Sequence, residues 1–250
     1  MREDGQGKRG EFRFKRFSVL NEKSAMKVNT DGVILGAAMT LSGNERRLLD
    51  IGTGTGTVAL MAAQRLSDKG SAFRITGIDI DEASAEEAEA NFSRSPWAAE
   101  LEAEKASLED YAASLREGDS FDMIFSNPPY YGGELKAPDP RRCRARHSGS
   151  LSWMDIAEFA AGRLTQEGRL AMILPSEQTL HTVRFAAACG LYLCRELQIR
   201  TVRSKEPKRT VLEMTGRRQE EVRKETLVMT EGGTYTPGYR SLLADFLLIF

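Results

Sequence analysis

The tetrapeptide Asn127-Pro128-Pro129-Tyr130 has the residue types needed to activate a planar NH2 group. In an adenine, a guanine or a glutamine amide, such a nitrogen is a poor nucleophile because its lone pair is delocalised into the attached π-system. The Asn127 side-chain oxygen and the Pro128 carbonyl can each accept one N–H, which directs the lone pair outward. The prolines fix φ and add no competing N–H, and stacking of a base on Tyr130 is worth roughly 1–3 kcal/mol. The motif predicts group transfer onto an amino nitrogen.

A glycine-rich turn upstream favours this interpretation over a plain proline-rich turn after a strand. Gly52, Gly54 and Gly56 form G-x-G-x-G between an apolar run and a helical pattern, as in a first βα unit that cradles a nucleotide. The dinucleotide pattern G-x-G-x-x-G requires glycine at position 57, where Thr57 stands. A ligand without a pyrophosphate is therefore favoured, and the glycines would admit the amino-acid tail of S-adenosylmethionine (SAM).

Two acids complete the predicted cofactor site. Asp50 immediately precedes the glycine turn and is expected near the SAM ammonium group. Asp79 ends the next strand, where an acid can accept hydrogen bonds from both ribose hydroxyls. Because ligands of parallel α/β sheets bind at the carboxyl ends of the strands, these acids should converge with Asn127.

Alternating strand and helix patterns must position these groups. The βαβα order predicts an α/β fold with a largely parallel sheet covered by helices on both faces. Asp81 is the predicted N-cap of the helix after the second strand. The predicted strands are residues 48–51, 73–80, 101–104, 121–126, 169–175, 195–202 and 210–215. The predicted helices after the second strand are residues 81–91, 153–164 and 177–188.

Length and charge are consistent with one enzyme domain, which we expect to span residues 1–250. Lys and Arg total 35 against 36 Asp and Glu, so nucleic acid would have to be bound by local basic clusters. The three cysteines match no zinc pattern, and no signal peptide or membrane span is evident. We therefore predict a cytoplasmic protein that contains no metal and does not contact a membrane. We favour a monomer as its oligomeric state.

Four segments in a fixed order resemble one known family. They are residues 27–36 (KVNTDGVILG), 50–56 (DIGTGTG), 126–131 (SNPPYY) and 144–147 (RARH). Together they resemble the bacterial methyltransferases that modify N6 of adenine 37 in the anticodon loop of valine tRNA. The resemblance extends from about Phe12 to Phe250. It implies a Rossmann-like, doubly wound, mostly parallel seven-stranded sheet of the class I methyltransferase type, with residues 1–40 as an N-terminal arm and cofactor-closing segment.

The resemblance also implies how the cofactor is held. SAM, and its product S-adenosyl-L-homocysteine, would lie between the glycine turn and Asn127, with Thr30 and Asp31 helping to close the site. Ser107-Leu108 stands where many relatives have an acid before a hydrophobic residue, so the Ser107 hydroxyl would contact the cofactor adenine instead. The implied cofactor-binding residues are Thr30, Asp31, Asp50, Gly52, Gly54, Gly56, Asp79, Ile80, Ser107, Leu108 and Asn127.

A tRNA substrate requires contacts to phosphate, which basic side chains near the site would supply. For the arm segment 12–15, a half-buried strand with a solvated charged face is an equally good interpretation. The basic cluster at residues 141–146 favours RNA contact because it lies just beyond Tyr131, in a loop expected to border the site. The predicted RNA-contacting residues are Lys15, Arg16, Tyr131, Arg144, Arg146, His147, Lys208 and Arg209.

The expected reaction is a direct in-line methyl transfer. The task of the enzyme is to hold the target nitrogen roughly 3–3.5 Å from the methyl carbon. Neither a metal nor a covalent intermediate is required, and the surplus proton can leave to solvent. An unpaired anticodon-loop base also costs little to extrude.

Several other functions use similar motifs. A glutamine N5-methyltransferase acting on release factors shares the tetrapeptide chemistry, but usually carries a helical substrate domain before the glycine motif, where this chain has little room. An rRNA guanine-N2 methyltransferase is a further alternative. A DNA adenine methyltransferase would need a target-recognition region, and little chain follows the fifth strand. A non-catalytic SAM- or RNA-binding module is disfavoured by the intact Asn127, Tyr130 and glycines.

Overall fold

The computed structural model of the protein describes residues 10–129 and 151–250. The strands in these ranges are β1 (Glu11–Arg13), β2 (Ser18–Leu20), β3 (Arg47–Ile51), β4 (Arg74–Asp79), β5 (Leu101–Lys105), β6 (Phe121–Ser126), β7 (Leu164–Pro175), β8 (Tyr192–Val202), β9 (Arg209–Thr215), β10 (Arg223–Glu231) and β11 (Thr234–Tyr235). The helices are α1 (Thr30–Ala38), α2 (Thr57–Asp68), α3 (Glu82–Ser93), α4 (Leu108–Ser114), α5 (Trp153–Arg163), α6 (Thr179–Ala188) and α7 (Pro237–Leu243).

One mostly parallel sheet organises the molecule, in the strand order β11-β10-β8-β9-β7-β6-β3-β4-β5. β9 is antiparallel to both of its neighbours, and β11 is antiparallel to β10. From β3 the chain moves outward to β4 and β5, then returns to place β6 on the other side of β3. The strand order therefore reverses at β3, which is where sheets of this kind bind ligands. The predicted doubly wound α/β fold is confirmed.

The predicted count of seven strands was wrong for this sheet, which has nine in the described part of the chain. The two additional strands, β10 and β11, extend the edge beyond β8. Leu227 is the one buried residue of β10, whose sequence RKETLVMTE is otherwise polar or partly exposed. Such a segment lacks the apolar pattern that indicates a strand, because an edge strand buries little of its surface.

The central strands are apolar because both faces of the sheet are covered. In β3, Leu48 belongs to the core cluster on one side of the sheet and Leu49 to the cluster on the other. In β6, Phe125 and Ile124 divide in the same way. This burial on both faces fixes the register of the strands whose ends carry the candidate site.

Element ends are set by local signals, with two differences from prediction. Asp81 is the N-cap of α3, as predicted, and its carboxylate accepts the Ser84 N–H at 2.9 Å. β7 begins at Leu164, earlier than predicted, because the helix before it ends at Arg163. A single 3-10 turn (Ser176–Gln178) precedes α6, where one continuous helix was expected. No helix in the described ranges is long and apolar enough to span a bilayer.

The N-terminal segment packs on the core instead of extending into solvent. Phe14 and Phe17 are buried, and their rings stack with centroids 4.5 Å apart. Phe14 also forms an isolated antiparallel bridge with Leu247, near the C-terminus. The expected half-buried strand with a charged outer face therefore describes this segment well.

Two polar side chains of α3 fasten the following residues to the domain. The Glu87 carboxylate accepts the backbone N–H groups of residues 22–24, at 2.7 to 2.8 Å. Asn91 accepts the Leu20 N–H at 2.6 Å and donates to the Thr55 carbonyl at 2.9 Å. The arm is thus joined directly to the turn that contains the three glycines.

Candidate active site

An open cleft lies at the carboxyl edge of the sheet. Its walls come from the turn after β3, the end of β6, and the segment that leads from the arm into α1. The lining residues are Met26, Lys27, Val28, Asn29, Gly32, Asp50, Gly52, Thr53, Gly54, Thr55, Thr57, Val58 and Asn127.

The glycine turn adopts a conformation that other residues would strain. Gly52, Gly54 and Gly56 have φ of +71°, +55° and +77°, in the left-handed region that glycine enters at little cost. The N–H groups of Gly52 and Thr53 both donate to the Ile78 carbonyl at 2.9 Å, which ties the turn to β4. The glycines therefore have a backbone role in addition to leaving room for a ligand.

Asp79 is oriented by the backbone at the end of β4. Its two carboxylate oxygens accept the N–H groups of Gly54 at 2.9 Å and Asp81 at 3.0 Å. Each oxygen keeps further acceptor capacity. Burial raises the pKa of this carboxyl group above its ordinary value, against the opposing effect of these hydrogen bonds. The neighbouring Ile80 side chain is 58% exposed, an apolar surface beside the acid.

Asp50 is a buried carboxylate at the bottom of the cleft. It is 1% exposed and accepts a hydrogen bond from the Thr53 hydroxyl at 2.8 Å. Burial, reinforced by the charge of Asp79, raises its pKa to about 7 despite the Thr53 hydrogen bond. Because a buried charge is favourable only when it is well paired, a cationic ligand group would stabilise the ionised form.

Asn127 enters the cleft directly after β6. The preceding Ser126 is fully buried, and its hydroxyl donates to the Ile51 carbonyl at 2.6 Å, which joins β6 to β3. The Asn127 Nδ2 atom lies 3.4 Å from Asn29 Oδ1 and 3.6 Å from Met26 Sδ. Neither Met26 nor Asn29 was a predicted site residue. An Asn directly before the apolar run of α1 is nevertheless a helix N-cap signal that could have indicated Asn29.

Thr30 and Asp31 form the first turn of α1, between the cleft-lining residues Asn29 and Gly32. Asp31 Oδ2 pairs with Arg209 Nε at 2.7 Å, and both side chains are partly exposed. The sequence interpretation assigned these residues to different partners, the cofactor and the RNA. The ion pair connects the start of α1 to the start of β9, and the two assigned roles stay predictions.

Ser107 and Leu108 lie just beyond β5. The Ser107 hydroxyl caps α4, accepting the Asp110 N–H at 3.0 Å and donating to the Asp110 carboxylate at 2.7 Å. Leu108 packs against a core cluster. The preceding Ala106 donates its N–H to the Asp79 carbonyl at 3.0 Å, so Ser107 and Leu108 lie near Asp79. Its contact with adenine stays a prediction.

The predicted RNA-contacting residues divide between two ends of the molecule. Arg209 opposes Pro175 at the end of β7, so it and Lys208 lie at the carboxyl edge, beside the cleft. Arg16 pairs with Asp68 at the far end of α2, about 18 Å along the helix from the glycine turn. The Lys15 ammonium donates to the Phe250 carbonyl at 2.7 Å. Tyr130, Tyr131, Arg144, Arg146 and His147 lie outside the described residues.

Three residues of the tetrapeptide, 127–129, lie within the described ranges. Pro128 is buried and Pro129 is half-buried. Within residues 10–129 and 151–250, no group of three or more His, Cys, Asp or Glu side chains is arranged to hold a metal ion.

Comparison with solved structures identifies the class of protein. A predicted O-methyltransferase from Agrobacterium tumefaciens superposes with a TM-score of 0.60 at 20% identity, covering 86% of this chain and 96% of that one. A putative class I SAM-dependent methyltransferase from Listeria monocytogenes gives 0.55 at 16% identity, covering 86% and 67%. The family model described as "Methyltransferase domain" matches residues 42–187. The fold is that of a class I SAM-dependent methyltransferase, whose cofactor is SAM.

Sequence relatives define the family more narrowly. The tRNA1(Val) (adenine(37)-N6)-methyltransferase of Bacteroides thetaiotaomicron is 38% identical over 238 residues, covering 95% of this chain and 97% of that protein. The enzyme of the same name from Tolumonas auensis is 36% identical over 238 residues, covering 95% and 96%. This chain belongs to the tRNA1(Val) (adenine(37)-N6)-methyltransferase family.

Proposed function

We propose that this protein transfers a methyl group from SAM to N6 of an adenine in tRNA, namely adenine 37 in the anticodon loop of valine tRNA. The family relationship over nearly the whole chain supports the target. The observation that carries the chemistry is that Asp50 and Asn127 line one cleft at the reversal of strand order, while Asp79 accepts the N–H of Gly54 in the wall of that cleft.

The residues in and beside the cleft fit SAM by their charge and polarity. Asp50 would pair with the ammonium group of the amino-acid tail, which the left-handed glycine turn leaves room to approach. Asp79 would accept the ribose hydroxyls, and the exposed Ile80 would lie against the adenine. SAM supplies a methyl group already activated on a sulfonium, so the proposed reaction uses no metal.

Asn127 is the proposed catalytic residue, together with Pro128, Pro129 and Tyr130. The Asn127 side-chain oxygen and the Pro128 carbonyl would each accept one N–H of the target amino group. This arrangement holds the nitrogen lone pair toward the methyl group, and Tyr130 would stack on the base. The proton would leave to solvent after transfer, so no side chain need act as a base.

The target can be tested with purified components. We would incubate the protein with SAM and unmodified valine tRNA, digest the tRNA and identify methylated nucleosides by mass spectrometry. N6-methyladenosine should form in wild-type tRNA and not when adenine 37 is replaced by guanine. Release factors and rRNA are assayed in parallel. Methylation of a release-factor glutamine or an rRNA guanine, with unmodified tRNA, would assign the protein to one of the alternative functions.

SAM affinity should rise with pH because of Asp50. Below its pKa of about 7 the carboxyl is protonated in the free protein, and binding the ammonium group must displace that proton. The affinity should therefore increase about tenfold between pH 6 and pH 8 and then level off. Calorimetry at several pH values measures this change. Asp50→Asn should bind SAM more weakly and without this pH dependence; an unchanged pH profile in that variant would separate Asp50 from the ammonium site.

The turn between β8 and β9 is the proposed RNA-contacting surface next to the cleft. It carries Lys205 and Lys208, both exposed. Replacing the two with alanine should weaken tRNA binding and lower the slope of log K against log[salt] by about 1 per lysine. The control is Lys69→Ala with Lys224→Ala, which removes equal charge at the opposite edge. Equal slopes in both double variants would place RNA elsewhere.

The same titration tests Arg144 and Arg146, which are also proposed to contact RNA. For an enzyme acting on tRNA we infer a cytoplasmic location. A monomer stays our prediction for the oligomeric state.

A further inference from the structure

The orientation of the Asn127 amide is set by its neighbours. Its Nδ2 faces Asn29 Oδ1, at 3.4 Å, and Met26 Sδ, at 3.6 Å. A carboxamide oxygen and a thioether sulfur are both acceptors and neither can donate. The amide NH2 group therefore belongs on this side. The oxygen consequently belongs on the opposite side of the amide.

Asn29 is itself locked in one orientation. Its Oδ1 accepts the Gly32 N–H at 2.9 Å, which caps α1, and its Nδ2 donates to the Lys27 carbonyl at 3.0 Å. Rotating the Asn29 amide by half a turn would set its NH2 against the Gly32 N–H and its oxygen against the carbonyl. Both exchanges replace attraction with repulsion. The helix cap thus fixes an acceptor in front of Asn127.

We propose that Asn29 is a positioning residue for the methyl transfer, which holds the Asn127 side-chain oxygen toward the target amino group. The inference depends on the role proposed for Asn127. With the amide reversed, Asn127 would present two donors to an adenine NH2 that needs an acceptor. The 3.4 Å contact is long for a hydrogen bond, so it biases the orientation of the amide without clamping it.

Two substitutions separate the contact from the helix cap. Asn29→Ser keeps a side-chain acceptor for the Gly32 N–H, but its shorter side chain does not reach Asn127. Asn29→Asp keeps an oxygen for both, and both variants lose the donor to the Lys27 carbonyl, so they differ in whether an oxygen reaches Asn127. The matched control is Thr236→Ala, which removes the N-cap of α7, where Thr236 accepts the Tyr239 N–H at 3.2 Å. This control changes helix stability without altering the cleft.

Turnover on valine tRNA is measured at saturating SAM and tRNA, together with the SAM dissociation constant and the melting temperature. Asn29→Ser should lower kcat about 3- to 10-fold, as expected for a lost orienting contact worth about 1 kcal/mol. The SAM dissociation constant should stay within about twofold of the wild-type value, which is a change in binding free energy of less than about 1 kcal/mol. Asn29→Asp should retain at least half of the wild-type kcat. Thr236→Ala should lower the melting temperature and leave kcat unchanged.

Three results would overturn the proposal. Full kcat in Asn29→Ser would show that the contact does not matter. Weaker SAM binding at unchanged kcat would make Asn29 a cofactor contact. Equal loss of kcat in the serine and aspartate variants would make it a structural residue. Failure of the proposed function is distinguishable, because the wild-type protein would then methylate no adenine in tRNA.

Discussion

Asn127→Ala should lower kcat for tRNA methylation by about 100- to 1,000-fold, the loss typical when a preorganised hydrogen-bonding partner of a reacting group is removed. The alanine leaves one N–H of the target without its acceptor, so the nitrogen lone pair stays delocalised. SAM affinity should change by less than about threefold, under 1 kcal/mol, since Asp50, Asp79 and the glycine turn are the residues proposed to hold the cofactor. Single-turnover rates and calorimetric titration of SAM measure the two quantities.

Asn127→Asp is the matched variant. Its carboxylate still offers an acceptor to the target N–H but has no NH2 group for Asn29 or Met26. We expect activity between that of the wild type and Asn127→Ala. A loss of SAM affinity as large as the loss of kcat in the alanine variant would mean that Asn127 acts mainly on the cofactor.

Gly56→Ala should lower the free energy of unfolding by about 2–4 kcal/mol, from left-handed strain and overpacking together. Gly56 has φ of +77°, and an added Cβ would lie 2.4 Å from Cε1 of Phe92. That ring is fully buried, so it cannot swing aside without disturbing the core. Chemical denaturation followed by circular dichroism gives the value.

Gly70→Ala separates the two causes. Gly70 has φ of +67°, but an added Cβ meets no atom within 4 Å. It should therefore show the conformational cost alone, about 1–2 kcal/mol. Equal destabilisation by the two substitutions would mean that Phe92 accommodates the extra methyl group and that packing adds nothing.

The sequence was sufficient to place Asp50, Asp79 and Asn127 because each ends a strand whose apolar pattern is local. Once those strands are parallel, their carboxyl ends lie at the same edge of the sheet. The three side chains are therefore expected close together from the strand pattern alone. The contact of Asn29 with Asn127 joins residues 98 positions apart, and the Asp31–Arg209 pair joins residues 178 apart. No local pattern encodes such pairings, because they depend on how the arm crosses the finished sheet.

The difference between local patterns and contacts of distant residues also explains where the predicted basic residues lie. Lys15 and Arg16 resemble RNA-contacting residues in sequence, since positive charge alternates there with aromatic rings. In the structure they bind the C-terminal segment and Asp68. Their part in RNA contact stays a prediction, as does that of Lys208 and Arg209, which lie at the cleft edge.

The attachment of the arm to α3 makes two distant parts of the chain one cooperative unit. Glu87 holds the backbone of residues 22–24, and Asn91 links Leu20 to Thr55 beside the glycines. Local opening of the arm would therefore also release the glycine turn, where the cofactor is proposed to bind. A ligand stabilises the state that it binds, so SAM would suppress that opening even though no residue of the β1–β2 hairpin lines the cleft. Binding of SAM in the cleft would therefore reduce the local opening of the N-terminal segment.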